Sequence, residues 1–275
     1  MSGTALALVL ASAAIHALWN SLVADAEDTH ATNAVAALVA VVVFAPVAAI
    51  TWDVDSAAVP YIAVSAAFQL AYFGLLATAY ARADLAFVYP IARGSAPVLT
   101  LVVSVAVLGA AVSGVQAAGV LAVAAGILLV RGLARAAAPA GDLTFALAIA
   151  GTIAGYTLID DDGLRHAAAL PYFEVVLALS ALPYAAAVAA SRGGGALRAA
   201  LGPRTVLAGI GMFAAYGLTL AALELAEPAP VAALRETSVL MAVAAAALLG
   251  RERVLPLRMA GAMIVVAGAA AVALG

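Results

Sequence analysis

The chain has 275 residues, of which 67% are hydrophobic and only 10% charged, and its mean hydropathy is +1.16. A soluble domain of this size needs about a quarter of its residues charged to hydrate its surface, so a soluble globular reading is excluded. All 12 basic residues are Arg, and against 15 acids they leave a net charge of -3, which argues against a nucleic-acid partner. With no Cys, disulfides, iron–sulfur centres and thiol catalysis are excluded too. What remains is a polytopic membrane protein.

Ten hydrophobic runs approach the roughly 20 residues a helix needs to cross a bilayer. They cover 4–23, 32–51, 57–80, 86–108, 114–131, 143–160, 168–190, 205–225, 229–250 and 256–274. Runs such as 98–108 and 118–130 are apolar on every face, which fits helices and not the alternating strands of a membrane barrel. The first run has no Lys or Arg ahead of it and carries His16 and Asn20, so it reads as a retained helix and not a cleaved signal. The connections hold most of the charge: 25–30, 52–55, 81–84, 160–165, 191–198 and 250–253. Abundant Ala and 23 Gly favour close backbone packing of helices in lipid.

The chain repeats itself. Arg93, Gly119 and Gly126 recur 142 positions later as Arg235, Gly261 and Gly268, and a looser match sets 14–20 against 154–160. The predicted fold is therefore an all-α integral membrane protein of ten transmembrane helices, built as two inverted five-helix repeats over 1–137 and 138–275. Because five is odd, the second unit enters the membrane from the opposite side, the symmetry typical of secondary transporters.

Ionisable groups in apolar helices mark candidate sites. His16, Trp19 and Asn20 share one face of the first helix, either as part of a polar site or as an interhelical hydrogen-bond cluster. Arg93 and Arg235, symmetric in the repeat, fit an anion site, a pairing with an acid, a gate, or a snorkelling role at the headgroups. Pro90 and Pro97 flank Arg93, while Pro228 and Pro230 precede Arg235, as interrupted helices or as plain helix starts. Asp160 reads as a proton or cation site or as part of a solvated acidic loop. Glu174 lies inside the seventh helix beside Tyr172, and Glu236 reads as a local counter-charge to Arg235. Tyr72, Tyr156 and Tyr216 are intramembrane phenols that need partners, and Gln69 is similar. No HExxH, metal-spaced His set, P-loop or Rossmann fingerprint occurs, so neither a cofactor nor a metal is expected and the chain reads as a non-enzyme.

Several segments together resemble the EamA-type branch of the drug/metabolite transporter superfamily: HALWN (16–20), AYARADLAFVYPIARGSAPVL (79–99), YTLIDDDGLR (156–165), RETSVLMAVAAAALLGRERV (235–254) and RMAGAMIVVAGAAAV (258–272). The resemblance spans essentially the whole chain. It implies ten helices from a duplicated unit, a central cavity open alternately to each side, and ATP-independent transport of a small metabolite or drug, often export. Residues carried over by it are His16, Trp19, Asn20, Arg93, Tyr156, Asp160, Arg235 and Glu236. The uncharged link GAAVSG (109–114) departs from the family pattern, which places a Glu and basic residues there. The distribution of Arg (nine in odd-numbered loops, one in an even-numbered loop) puts the termini outside by the positive-inside rule, whereas the resemblance implies cytoplasmic termini.

The functional expectation is a multi-pass transporter of an inner or plasma membrane, with a small-molecule substrate, lipid contacts and proton coupling through Glu174 or Asp160 as one mode. Monomer and homodimer both remain open. The second reading is a membrane-embedded enzyme on lipid-linked substrates, or a scaffold for partner proteins. An acid and His cluster at one membrane face would favour the enzyme, an aqueous cavity reaching the midplane and lined by both repeats the transporter, and neither the scaffold.

Overall fold

The computed structural model describes residues 1–24, 26–82, 85–131, 140–248 and 256–275, with side chains omitted at 77, 80–82, 85–87, 131, 140 and 245–248. In chain order the helices are α1 (Gly3–Ala24), α2 (Thr29–Ile50), α3 (Val59–Arg82), α4 (Leu85–Ala106), α5 (Gly114–Arg131), α6 (Ala140–Gly163), α7 (Ala169–Arg192), α8 (Gly194–Ala200), α9 (Pro203–Leu223), α10 (Pro228–Arg235), α11 (Thr237–Leu248) and α12 (Pro256–Leu274). Eight described helices are long and apolar enough to span a bilayer, and α5 is slightly shorter. Large apolar side chains such as Leu18, Val42, Val102 and Met263 point away from the protein interior. Water would not tolerate that surface, but lipid does. The chain is an all-α, multi-pass membrane protein, the build of an inner or plasma membrane component.

Four boundaries differ from the sequence expectations. The run 229–250 is two helices, α10 and α11, broken at Glu236. No Gly or Pro marks the break. Glu236 N–H donates to Ala233 O at 3.2 Å and Thr237 Oγ1 to Leu234 O at 2.7 Å, which tightens the turn. The acidic stretch expected as a loop from 160 is helical as far as Gly163, so Asp160 sits on the last turn of α6 and is fully buried. The 191–198 link contains α8, entered through Gly193, whose φ of 83° is one that only glycine adopts cheaply. His30, expected in a loop, lies in the first turn of α2. The link at 132–139, all of 250–253 and residues 83–84 lie outside the described residues.

Small residues set the helix contacts. Where α5 crosses α12, a Cβ on Gly119 would stand 2.7 Å from Gly268 O, and one on Gly126 2.8 Å from Gly261 O. The reverse contacts hold from Gly261 and Gly268, so the two backbones touch along both glycine pairs. The same economy brings Gly209 of α9 onto the Ala36 carbonyl of α2 and Gly155 of α6 under the Phe68 ring of α3. Between α1 and α9, Ser12 Oγ donates to Ala215 O at 2.6 Å and lies 2.8 Å from Thr219 Oγ1, bonds worth more where no water competes. Further pairs are α3 with α6 and α7, α4 with α5, α6 and α10, α2 with α7 and α9, and α1 with α10 and α11.

The bundle ends are tied together. At one end Asp28 accepts from His30 N and Ala31 N as the N-cap of α2, and its other oxygen lies 2.9 Å from Arg192 at the end of α7. Partial burial pushes the Asp28 carboxyl up, but the Ala31 N–H and the Arg192 guanidinium outweigh it and hold the group below its ordinary value. At the other end the 51–58 and 163–169 links form a short antiparallel bridge, Val54 with Ala167. Asp55 N–H donates to His166 O at 2.9 Å and Ala168 N–H to Asp53 O at 2.8 Å.

Candidate functional site

The interior between the helices is not uniformly apolar. Two guanidinium groups, two carboxylates, an imidazole and several phenols are buried together, and the structure reaches them from both halves of the chain.

Arg93 stands on α4 four residues before Pro97, so its own carbonyl lacks the usual amide donor from the next turn. Its side chain, 4% exposed, runs inward and not toward headgroups, which removes the snorkelling reading. Its Nε lies 2.8 Å from Glu236 Oε2, an ion pair of close distance whose angle departs from hydrogen-bond geometry. An Nη atom lies 3.3 Å from His16 Nε2 on α1, and the Tyr89 ring centroid is 5.9 Å from Cζ. Glu236 thus pairs with Arg93 across the bundle, and its charge also acts on the neighbouring Arg235, the counter-charge role expected of it.

Arg235 ends α10 at 8% exposure, also inside the protein. Pro228 is an ordinary first-turn proline of that helix. The Arg235 guanidinium lies over the Tyr216 ring of α9, with Cζ 4.9 Å from the centroid, and its buried Nε has no hydrogen-bond partner among the described residues. The Tyr216 hydroxyl donates to Asp160 Oδ2 at 2.5 Å, and the Tyr172 hydroxyl of α7 donates to Asp160 Oδ1 at 2.9 Å. Far from being a solvated acid, Asp160 joins α6, α7 and α9. Gly163, one turn later on α6, leaves room for the Tyr172 ring, where any Cβ would stand 2.6 Å away.

Aromatic rings wall this polar interior. Tyr156 packs edge-on against Tyr72 at 6.4 Å and against Tyr216 at 5.7 Å, and Phe173 lies 4.8 Å from Tyr216. A narrow, mostly apolar cleft between α3, α4 and α6 is lined by Tyr72, Leu76, Tyr89, Arg93, Ile149 and Ile153, with room for about one water molecule.

Seven of the ten sequence-predicted residues thus meet in one connected region: His16, Tyr72, Arg93, Tyr156, Asp160, Arg235 and Glu236. Three stand apart. Trp19 touches the His16 ring edge-on at 5.2 Å but packs with Val23, Ala36, Ala208 and Met212, and its buried Nε1 has no partner. Asn20 folds back on its own helix, donating to His16 O at 2.8 Å. Glu174 is buried on α7 with Oε2 unpartnered, outside the contacts of the cluster. Tyr216, Tyr172 and Tyr89 are central here. Their only signal in the sequence is a phenol inside an apolar run. Among the described residues, no three His, Asp or Glu side chains converge to hold a metal ion.

No family model matches the chain, and no curated protein does. A solved crystal structure is similar to it with a TM-score of 0.76, over 98% of this chain and 95% of that chain, at 16% identity. At that identity the likeness is one of fold.

Proposed function

We propose that the chain is a secondary transporter of a small metabolite or drug-like solute. In this reading it exports the solute by alternating access across ten spans, in two inverted five-helix repeats of the EamA type. The observation that carries the reading is the Arg93–Glu236 ion pair with His16, buried at the broken helix and contributed by both halves. Charges are expensive in a membrane interior and are retained where a solute or ion must be handled.

The helix contacts support the symmetry. Exchanging the first five spans for the second five, with α10 and α11 together as the ninth, maps the α1–α9 contact onto α6–α3, α4–α6 onto the contacts of α10 and α11 with α1, and α2–α9 onto α7–α3. It maps α5–α12 onto itself, as the reciprocal Gly119–Gly268 and Gly126–Gly261 contacts require of a two-fold axis. The cleft that reaches Arg93 is lined from both halves, and Asp160 and Glu174 are the carboxyls available for proton coupling.

The test is solute flux into proteoliposomes holding the purified chain, screened over metabolites and drugs with and without a pH gradient. Saturable flux that Arg93→Gln abolishes supports the reading. A reconstituted, folded protein that moves no solute of the panel in either direction overturns it.

A further inference from the structure

We propose that Arg235 is the docking point for an oxyanion group, a carboxylate or a phosphate monoester, on the transported solute; this rests on the transport reading above. The two buried guanidinium groups are not in equivalent surroundings. Arg93 has a carboxylate and an imidazole against it. Arg235 forms no ion pair with any described carboxylate, and its buried Nε has no hydrogen-bond partner. The acid beside it in sequence, Glu236, makes its direct ion pair with Arg93 and reaches Arg235 only through space. Asp160 has both oxygens engaged by the Tyr172 and Tyr216 hydroxyls. The carbonyl end of α10 favours a cation at this position but carries no full charge.

A guanidinium presents its N–H groups along the edges of a plane, in a fork that fits two oxygens of one anion. Tyr216 covers one face of that plane, a contact that does not use its N–H edges. Glu236 and Asp160 act on Arg235 through space, but no described carboxylate touches it, and a ligand that brings an oxyanion completes the group. The rings of Tyr216, Tyr156 and Phe173 offer an apolar wall beside the charge. The solute this arrangement suits is amphipathic, with an oxyanion at one end and a flat apolar body at the other. Organic cations are disfavoured, because both guanidinium groups act on the same interior: each is within electrostatic reach of His16 and of the other.

The test uses four probes of one shape: phenylacetate and phenyl phosphate against phenylacetamide and phenethylamine. Binding is measured by titration calorimetry on the full chain in micelles, and movement by counterflow in liposomes. Expected is binding of at least one oxyanion about tenfold or more tighter than the amide. That preference should fall below about twofold in Arg235→Gln and be partly kept in Arg235→Lys. Preference for phenylacetate or for phenyl phosphate names which oxyanion is read. Equal or tighter binding of the amide or amine by the wild-type protein, or no oxyanion binding up to solubility, overturns the proposal whether or not the variants fold. Discrimination unchanged in a folded Arg235→Gln also overturns it. Selective oxyanion binding with no counterflow of any probe leaves the site standing and counts against transport, whereas counterflow that prefers the amide or amine leaves transport standing and overturns the site.

Discussion

Removing one member of the Arg93–Glu236 pair should be among the most damaging single changes in the protein. The two side chains are 4% and 3% exposed and approach to 2.8 Å. With charge centres about 4 Å apart and an effective dielectric near 20, their attraction is about 4 kcal/mol. Breaking a buried pair by deleting one partner costs about 3–5 kcal/mol, because the survivor stays buried without compensation. Glu236→Gln keeps the shape and removes the charge, so it should lower the folded-to-unfolded ratio by about two to three and a half powers of ten. Replacing both, as Arg93→Met with Glu236→Leu, removes both desolvation costs and should return the protein to within a few kcal/mol of wild type. The assay is equilibrium unfolding by SDS titration in mixed micelles, run as a double-mutant cycle. Coupling of about 3 kcal/mol or more is expected. Single variants costing under about 1 kcal/mol, the range of exposed pairs, or a strictly additive double variant, would refute the reasoning.

Three further outcomes follow from named contacts. Gly119→Ala or Gly126→Ala pushes a methyl into the backbone of α12 and should cost about 1–3 kcal/mol in the same unfolding assay. Gly74→Ala, with open space around it, should be neutral or gain up to about 1 kcal/mol. Tyr216→Phe leaves Asp160 Oδ2 without its donor and should cost about 1–3 kcal/mol, with Tyr172→Phe similar; thermal unfolding of both and of the double variant checks it. Asp28 is held below its ordinary value, so its contribution is complete above the unfolded carboxylate value near 4 and disappears as pH falls through the lower folded value. The wild-type melting temperature should therefore drop more between about pH 5 and 3 than that of Asp28→Asn, which keeps a capping oxygen but not the charge. Equal slopes would remove Asp28 from the pH response.

The architecture was legible wherever a property is carried by neighbours in sequence. Apolar runs of spanning length became helices, because their backbone groups have no partner in lipid except one another. Gly119, Gly126, Gly261 and Gly268 were legible as marks of a repeat, and the structure packs these four together. Two of the differences share a cause: they were decided by residues distant in the chain. Asp160 reads as the start of an acidic loop until Tyr172 and Tyr216, 12 and 56 residues away, supply its donors. Glu236 sits beside Arg235 in sequence, yet its carboxylate pairs at 2.8 Å with Arg93, 143 residues away. Local sequence gives no sign of the helix break at Glu236, which is held by contacts of Ala233, Leu234 and Thr237 and not by proline or glycine. Trp19 and Asn20 share a face with His16, as their spacing requires, but a helix face is wider than a site. Trp19 turns to α2 and α9, and Asn20 to its own backbone.

Alternating access is tested most directly by locking one end of the bundle. The chain has no Cys, so Val54→Cys with Ala167→Cys places a single thiol pair across the bridge between the 51–58 and 163–169 links. Solute exchange by this variant in proteoliposomes should stop when the pair is oxidised and return on reduction, with either single variant unaffected. Undiminished exchange through the fully oxidised protein would contradict the account.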